Sequence, residues 1–102
     1  MKVLFVCFAN LQRSPTAERL FRSKNIETKS AGIDPLAPVI LTQKAIDRAD
    51  KIFVMEQLQK DFILDNFKVN KEIIVLDIPD IYYRDDPELI KILKEKVSKY
   101  LK

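Results

Sequence analysis

The sequence predicts an α/β fold built on a mostly parallel sheet, because short apolar segments alternate with amphipathic segments along the chain. The segments Lys2 to Cys7 and Lys51 to Met55 are almost entirely apolar, as is typical of central strands that helices cover on both faces. The chain has 102 residues, 47% of them hydrophobic, which is enough to bury a core. We therefore expect one domain over residues 1–102.

Local residue patterns predict the remaining strands and helices. Side chains alternate from Ile26 to Ser30, which predicts a weaker strand at a sheet edge, and Glu72 to Ile78 is a further strand candidate. Gln43 to Asp50 is a candidate short helix. Apolar residues at helical spacing predict three longer helices, so the expected order is βαβαβαβα. Their apolar faces are Ala17, Leu20 and Phe21; then Leu58, Phe62 and Phe67; then Leu89, Leu93, Val97 and Tyr100.

The composition excludes several kinds of site. Without histidine there is no Ser-His-Asp triad, Cys-His dyad or HExxH zinc site, and a single cysteine excludes disulfide frameworks. Lys and Arg exceed Asp and Glu by 18 to 15, and a net charge of +3 is too small to indicate nucleic-acid binding. Asp86 is expected to cap the last helix, with Pro87 in its first turn. The lysines from Lys91 onward are expected to form the solvated side of that helix.

The longest apolar run, Val3 to Ala9, is far shorter than the roughly 20 residues that cross a bilayer, and the first residues lack the layout of a signal peptide. We therefore expect a cytoplasmic protein that does not bind membranes. A reduced thiol is expected in that compartment.

The most informative segment is Cys7-Phe8-Ala9-Asn10-Leu11-Gln12-Arg13-Ser14-Pro15, which follows the first strand and opens the first helix. Ser14 is expected to cap that helix, with Pro15 in its first turn. A turn from strand to helix exposes backbone N–H groups that bind an anion together with the helix dipole. Asn10 tolerates the left-handed backbone that such a loop needs.

Cys7 and Arg13 bracket this loop. The spacing allows the sulfur to lie below the phosphorus of a bound phosphate while the guanidinium grips two of its oxygens. The amides, the helix N-terminus and the arginine would together favour the thiolate form without any histidine. A lone cysteine at a strand end is more often an inert buried residue, and it is the context of the loop that favours the catalytic interpretation.

At these residues the chain resembles the low-molecular-weight protein tyrosine phosphatases, whose loop has the form C-x-x-N-x-x-R-S followed by proline. Near the C-terminus, the segment Ile78-Pro79-Asp80-Ile81-Tyr82-Tyr83 is similar to the acid loop of that family. The resemblance implies a four-stranded parallel sheet of order 2-1-3-4, helices on both faces and a phosphate-binding loop after strand 1.

The resemblance also implies roles for individual residues. Cys7 would be the nucleophile, Arg13 the binder of substrate and transition state, and Asp80 the general acid. Ser14 would donate a hydrogen bond to the thiolate, and Asn10 would shape the loop. Apart from the resemblance, Asp77 and Asp85 are reserve candidates for the acid. The expected substrate-binding residues are Phe8, Ala9, Asn10, Leu11, Gln12, Ser14, Tyr82 and Tyr83.

Three features depart from the family pattern. The chain is about one-third shorter than usual, and the gap falls in Ile33 to Thr42, where a helix and a substrate-contacting loop are expected. Gln12 stands where many members have a second cysteine, and Ile81 replaces the proline expected after the acid. The shortened segment leaves the substrate selectivity open. Gln12 excludes a disulfide within the loop, and Ile81 affects the rigidity of the acid loop but not its charge.

The sequence therefore predicts a hydrolase of phosphomonoesters, acting through a phosphocysteine intermediate without a metal or organic cofactor. The expected substrates are phosphorylated proteins, above all on tyrosine, or small aryl phosphates, and the protein is expected to be a monomer or weak dimer. One alternative is a non-catalytic module that binds phosphorylated ligands. The other, an arsenate reductase relative, needs further cysteines that the chain lacks.

Overall fold

The computed structural model describes residues 1–101 and contains a parallel sheet of four strands in the order β2-β1-β3-β4. Helices cover both faces of the sheet, which confirms the predicted fold class, strand order and alternation of elements. The strands are β1 (Lys2–Cys7), β2 (Glu27–Gly32), β3 (Lys51–Val54) and β4 (Ile73–Val75), and the helices are α1 (Arg13–Phe21), α2 (Gln43–Arg48), α3 (Gln57–Asn66) and α4 (Pro87–Val97), followed by a 3₁₀ turn at Ser98–Tyr100.

β1 is a central strand that pairs with β2 along its whole length and with β3 from Val3 to Val6. All its residues from Val3 to Cys7 are buried, in agreement with their apolar character. The chain leaves β1 to form β2 on one side of it and then crosses to form β3 on the other side. The carboxyl end of β1, at Cys7, is therefore the topological switch point, where open α/β sheets bind ligands.

The core has two parts, one on each face of the sheet. Val3 and Phe5 of β1 lie in the cluster that includes α1 and α4, whereas Leu4 and Val6 lie in the cluster that includes α2 and α3. The ring of Phe5 stacks on that of Phe53 with a centroid distance of 5.3 Å. This alternation is what a strand with side chains on both faces produces, and it holds β1 and the loop after it firmly in place.

Several predicted boundaries differ from the structure. β2 continues two residues beyond Ser30, β4 is limited to Ile73–Val75, and α2 ends at Arg48. The prediction that Leu58 belongs to a buried helix face is wrong, because its side chain is 58% exposed. The buried residues of α3 are Gln59 and Ile63, because the hydrogen bonds that cap this helix turn Gln59 inward.

The segment 33–42, where the family comparison predicts a gap, contains no helix. It folds against the end of β2, where the Gly32 N–H donates to the Val39 carbonyl and the Leu41 N–H donates to the Gly32 carbonyl. Ile40 forms a single parallel bridge with Gly32. Residues 33–42 therefore connect β2 to α2 through turns and one bridge, without the helix that the family pattern predicts.

Gly32 lies where the end of β2 approaches the loop after β1. A Cβ atom at this position would lie 2.7 Å from the Phe8 carbonyl oxygen, 2.8 Å from the Ala37 Cβ and 2.9 Å from the Asn10 nitrogen. Two of these three atoms belong to the backbone and cannot turn aside as a flexible side chain could. Glycine at position 32 is therefore required for the close packing of the loop on β2.

We expect Gly32→Ala to lower the free energy of unfolding by about 1–3 kcal/mol, because the added methyl group overpacks the site. Urea denaturation of the native protein and the variant measures the difference. The double variant Gly32→Ala/Ala37→Gly relieves only one of the three close approaches and should regain little stability. Native stability of the single variant would show that the loop can move away from β2 at no cost.

Candidate active site

The loop of residues 7–13, called the cradle below, places the sulfur of Cys7 at its base. Cys7 is buried at the end of β1. The backbone N–H of Asn10 donates to the sulfur at 3.2 Å, and the Ser14 hydroxyl oxygen lies 3.0 Å from it. Both contacts bring a hydrogen-bond donor to the thiol and stabilise a negative charge on sulfur.

Asn10 shapes the cradle. Its φ of 57° is in the left-handed region that asparagine tolerates better than most residues. The side-chain amide donates to the hydroxyl oxygens of Ser14 and Ser30, each at 3.0 Å, and the Ser30 hydroxyl in turn donates to the Glu18 carboxylate. Ser14 accepts from Asn10, and its own hydrogen lies within reach of two acceptors, the sulfur of Cys7 at 3.0 Å and the Ala31 carbonyl oxygen at 3.5 Å.

The predicted capping role of Ser14 is wrong. α1 begins one residue earlier, at Arg13, with Gln12 at the N-cap position and no side-chain cap. The hydroxyl of Ser14 is bonded within the cradle instead, while the Thr16 hydroxyl donates to the Gln12 carbonyl at 2.7 Å. Ser14 therefore contacts the sulfur of Cys7 and does not cap α1.

Arg13 is 1% exposed, which is unusual for a cation. Its Nη1 donates to Glu56 Oε1 at 2.7 Å and to the carbonyl oxygen of Ile78 at 2.8 Å. Nε is buried and has no hydrogen-bond partner within residues 1–101, and it lies 3.7 Å from Asp80 Oδ1. One edge of the guanidinium is therefore anchored, and the edge that includes Nε is available to an anion.

Glu56 is the N-cap of α3 and forms a capping box with Gln59, which is fully buried. The hydrogen bond from Arg13 lowers the pKa of Glu56 below its usual value of 4.5, and the positive charge of Arg13 acts in the same direction, while burial opposes both. Glu56 is thus held as a carboxylate next to the arginine that it orients.

The carboxylates near the C-terminus have different surroundings. Asp80 is the one that approaches Arg13, and its side chain is 58% exposed at the surface beside the cradle. Asp85 pairs with Arg19, and Asp86 caps α4 by accepting from the Glu88 N–H, as its position before Pro87 predicts. The reserve candidate Asp77 has a left-handed backbone and lines a cleft together with Glu56, Gln57 and Pro79. These positions favour Asp80 over the reserve candidates.

The expected substrate-binding residues differ in their exposure to solvent. Phe8 and Leu11 are exposed on the cradle, Ala9 and Gln12 are half-buried, and Tyr83 is 78% exposed. Tyr82 instead packs against the core cluster that contains α4, which makes it less available than Tyr83. Apolar side chains therefore flank the cradle on the side that faces solvent.

Sequence reasoning missed Glu56, Ser30 and Glu18, all of which bond to cradle residues or extend their network. Glu56 had a usable signal, because it follows a buried strand directly and the carboxyl ends of parallel strands meet at one edge. Ser30 is a polar residue on the inward side of a strand, and a buried hydroxyl needs a partner. The role of Glu18 has no comparable signal in the sequence.

Within residues 1–101, no group of three or more His, Cys, Asp or Glu side chains is placed to hold a metal ion. None of the helices in this part of the chain is long and apolar enough to cross a membrane.

Residues 2–38, which include β1, the cradle, α1 and β2, match the family model described as low molecular weight phosphotyrosine protein phosphatase. The predicted resemblance to this family is confirmed. A comparison with curated proteins finds no match.

Solved structures extend the likeness over the whole fold. Wzb of Vibrio vulnificus, in complex with benzylphosphonate, has a TM-score of 0.80 at 20% identity, with 97% of this chain and 95% of that chain covered. The tyrosine phosphatase Wzb of Escherichia coli K30, in complex with phosphate, has a TM-score of 0.77 at 21% identity, covering 97% and 94%. The low-molecular-weight protein tyrosine phosphatase of T. tengcongensis has a TM-score of 0.76 at 23% identity, covering 96% and 93%. At these identities the likeness shows a shared fold.

Glu56→Gln should lower the free energy of unfolding near neutral pH by about 1–2 kcal/mol, because Arg13 loses its charged partner and Glu56 is partly screened by solvent. The folded pKa of Glu56 is lowered, so its contribution is complete above 4.5 and is lost as the pH falls through the folded value. The difference between native protein and variant should therefore shrink in acid.

Urea denaturation from about pH 7 down to about pH 3 measures this difference. The matched control is Glu72→Gln, since Glu72 is exposed and forms no ion pair among the described residues. An equal stability loss for Glu56→Gln at every pH would contradict the assigned charge interaction.

Proposed function

We propose that the chain is a phosphomonoester hydrolase that acts on phosphotyrosine in proteins and on small aryl phosphates. The observation that carries the proposal is the buried guanidinium of Arg13, anchored through Nη1 with its Nε unpartnered, in the same loop as the Cys7 thiol. A phosphate dianion would supply the missing acceptor, because two of its oxygens match the fork of an arginine. The match of residues 2–38 to the phosphatase family supports the same assignment.

In the first step the sulfur of Cys7 attacks phosphorus, so an S–P bond forms as the bond from phosphorus to the phenolic oxygen breaks. The electron pair of that bond goes to the phenolic oxygen, which takes a proton from Asp80. The phenol of tyrosine has a pKa of about 10, so the phenolic oxygen leaves far more readily when it is protonated. Arg13 and the cradle N–H groups stabilise the charge on the transferring phosphoryl group.

In the second step water attacks the phosphorus of the phosphocysteine while the Asp80 carboxylate accepts one of its protons. The S–P bond breaks, and its electron pair returns to sulfur as a thiolate. The hydrogen bonds from Asn10 and Ser14 to the sulfur stabilise that leaving group. Phosphate then leaves and the cradle is restored with Asp80 protonated.

The surroundings of the cradle support an aromatic substrate. Phe8, Leu11 and Tyr83 are exposed apolar side chains on segments at or beside the cradle, and they can flank a phenyl ring. No step of this chemistry needs a metal ion. We place the reaction in the cytoplasm, where the thiol of Cys7 remains reduced.

The Cys7→Ser variant is expected to lose hydrolysis of p-nitrophenyl phosphate by on the order of a thousandfold or more, because a serine hydroxyl is a poor nucleophile without a base. Phosphate or vanadate should still bind, since the amides and Arg13 remain. Assays in the presence of EDTA, with anion binding measured by calorimetry, test both statements. Native turnover by Cys7→Ser would refute the nucleophile, and anion binding without turnover by the native protein would favour a binding module.

Asp80→Asn should slow the hydrolysis of phosphotyrosine by about 10²- to 10⁴-fold. An aryl phosphate with an acidic phenol should be affected much less, because its leaving group needs no proton. Steady-state kinetics with both substrates measure this dependence, and Asp77→Asn is the matched control. If Asp77→Asn shows the dependence and Asp80→Asn does not, the acid has been misassigned.

A further inference from the structure

The segment of residues 77–86, called the acid segment below, carries Asp80 between β4 and α4 without helix or strand structure. Its first end is held at the cradle by Arg13, whose Nη1 donates to the Ile78 carbonyl at 2.8 Å. From α4, Lys96 Nζ donates to the carbonyl oxygens of Leu76 at 2.7 Å and Asp77 at 3.3 Å. The chain is thus anchored just before Asp80.

The second anchor lies at Arg84, four residues after Asp80. The backbone N–H of Arg84 donates to the side-chain oxygen of Gln12, and its Nε donates to the Leu11 carbonyl at 2.9 Å. Gln12 and Leu11 belong to the cradle. Arg84 therefore ties the acid segment directly to the loop that carries Cys7 and Arg13.

Asp85 extends the second anchor onto α1. Its N–H donates to the Thr16 hydroxyl at 2.9 Å, and its carboxylate pairs with Arg19. Asp85 has a φ of 63°, which an L-residue adopts at a cost unless its surroundings hold it there. The contacts with Thr16 and Arg19 hold the backbone of Asp85 in this conformation.

Between the two anchors Ile81 and Tyr83 are among the most exposed apolar residues, whereas Tyr82 packs against the core cluster that contains α4. The side chain of Asp80 is also largely exposed and has no hydrogen-bond donor among residues 1–101, its nearest cation being Arg13 Nε at 3.7 Å. The position of Asp80 therefore depends on the backbone at either end of this span and on the packing of Tyr82 between them.

We propose that Arg84 and Asp85 are positioning residues that hold Asp80 at the distance from the cradle at which it can protonate a leaving group. This role rests on the proposed phosphatase function. Both residues act through polar contacts at the surface rather than through the hydrophobic core, so their loss displaces the acid without unfolding the protein. Displacement of a reacting group by about 1 Å can cost up to a hundredfold in rate.

The first test compares Arg84→Met with the native protein. The variant keeps the length of the side chain but cannot donate to the Leu11 carbonyl. Its kcat on phosphotyrosine should fall by about tenfold, whereas its kcat on an aryl phosphate with an acidic phenol should fall much less. Arg84→Lys retains a donor and should recover part of the loss, and Arg48→Met, which removes a pair with Glu27 far from the cradle, should behave as the native protein does.

The second test does not depend on turnover. Amide hydrogen exchange of the acid segment should be faster in Arg84→Met and in Asp85→Asn than in the native protein, while exchange in β1 and binding of vanadate stay the same. Unchanged exchange in the acid segment, or equal falls in kcat on both substrates, would overturn the positioning role alone. A native protein that hydrolyses no aryl phosphate would instead overturn the proposed function, and the positioning role with it.

Discussion

The geometry of the site depends on the burial of one positive charge, the guanidinium of Arg13. Removing a cation from water costs several kcal/mol unless it is paired and hydrogen-bonded. Glu56, at the start of α3, and the carbonyl of Ile78, after β4, provide those partners at 2.7 and 2.8 Å. Because these partners belong to separate segments, the requirement to satisfy Arg13 fixes where α1, α3 and the acid segment meet at the carboxyl edge of the sheet.

A second set of polar groups completes the cradle on the side of β2. The side-chain amide of Asn10 donates to the hydroxyl oxygens of Ser14 and Ser30, and the Ser30 hydroxyl donates to the Glu18 carboxylate. Buried donors and acceptors are almost always paired in this way. Among the cradle residues, Arg13 Nε is an exception, since it is buried and has no hydrogen-bond partner within residues 1–101. An oxyanion at this position would complete the network with little rearrangement, which is the condition for electrostatic stabilisation of a transition state.

Local features of the sequence were sufficient to predict β1, the left-handed Asn10, the cap at Asp86 and the buried face of α4, because each depends on residues close together in the chain. The contacts around Arg13 could not be predicted in this way. Its partners lie 43 and 65 positions away, and a guanidinium can be satisfied by any acceptor that the fold brings near. The cap predicted at Ser14 was wrong for the same reason, because a serine before a helix is a good cap in isolation, whereas the contact of Ser14 with the Cys7 sulfur, which the family resemblance implies, is present.

The two halves of the site are stabilised by different kinds of interaction. Cys7, Asn10 and Arg13 are buried, and Cys7 belongs to the core cluster that includes α1 and α4, so the anion-binding half opens only when packed residues separate. Asp80 is exposed on a segment held by hydrogen bonds and one ion pair at its ends, and such contacts contribute little each and open more readily than a packed core. Under the proposed function, phosphate binding therefore depends on the buried half of the site, whereas protonation of the leaving group by Asp80 depends on contacts at the surface. Under the proposed function, changes confined to those contacts would slow the turnover of substrates with poor leaving groups while phosphate binding is retained.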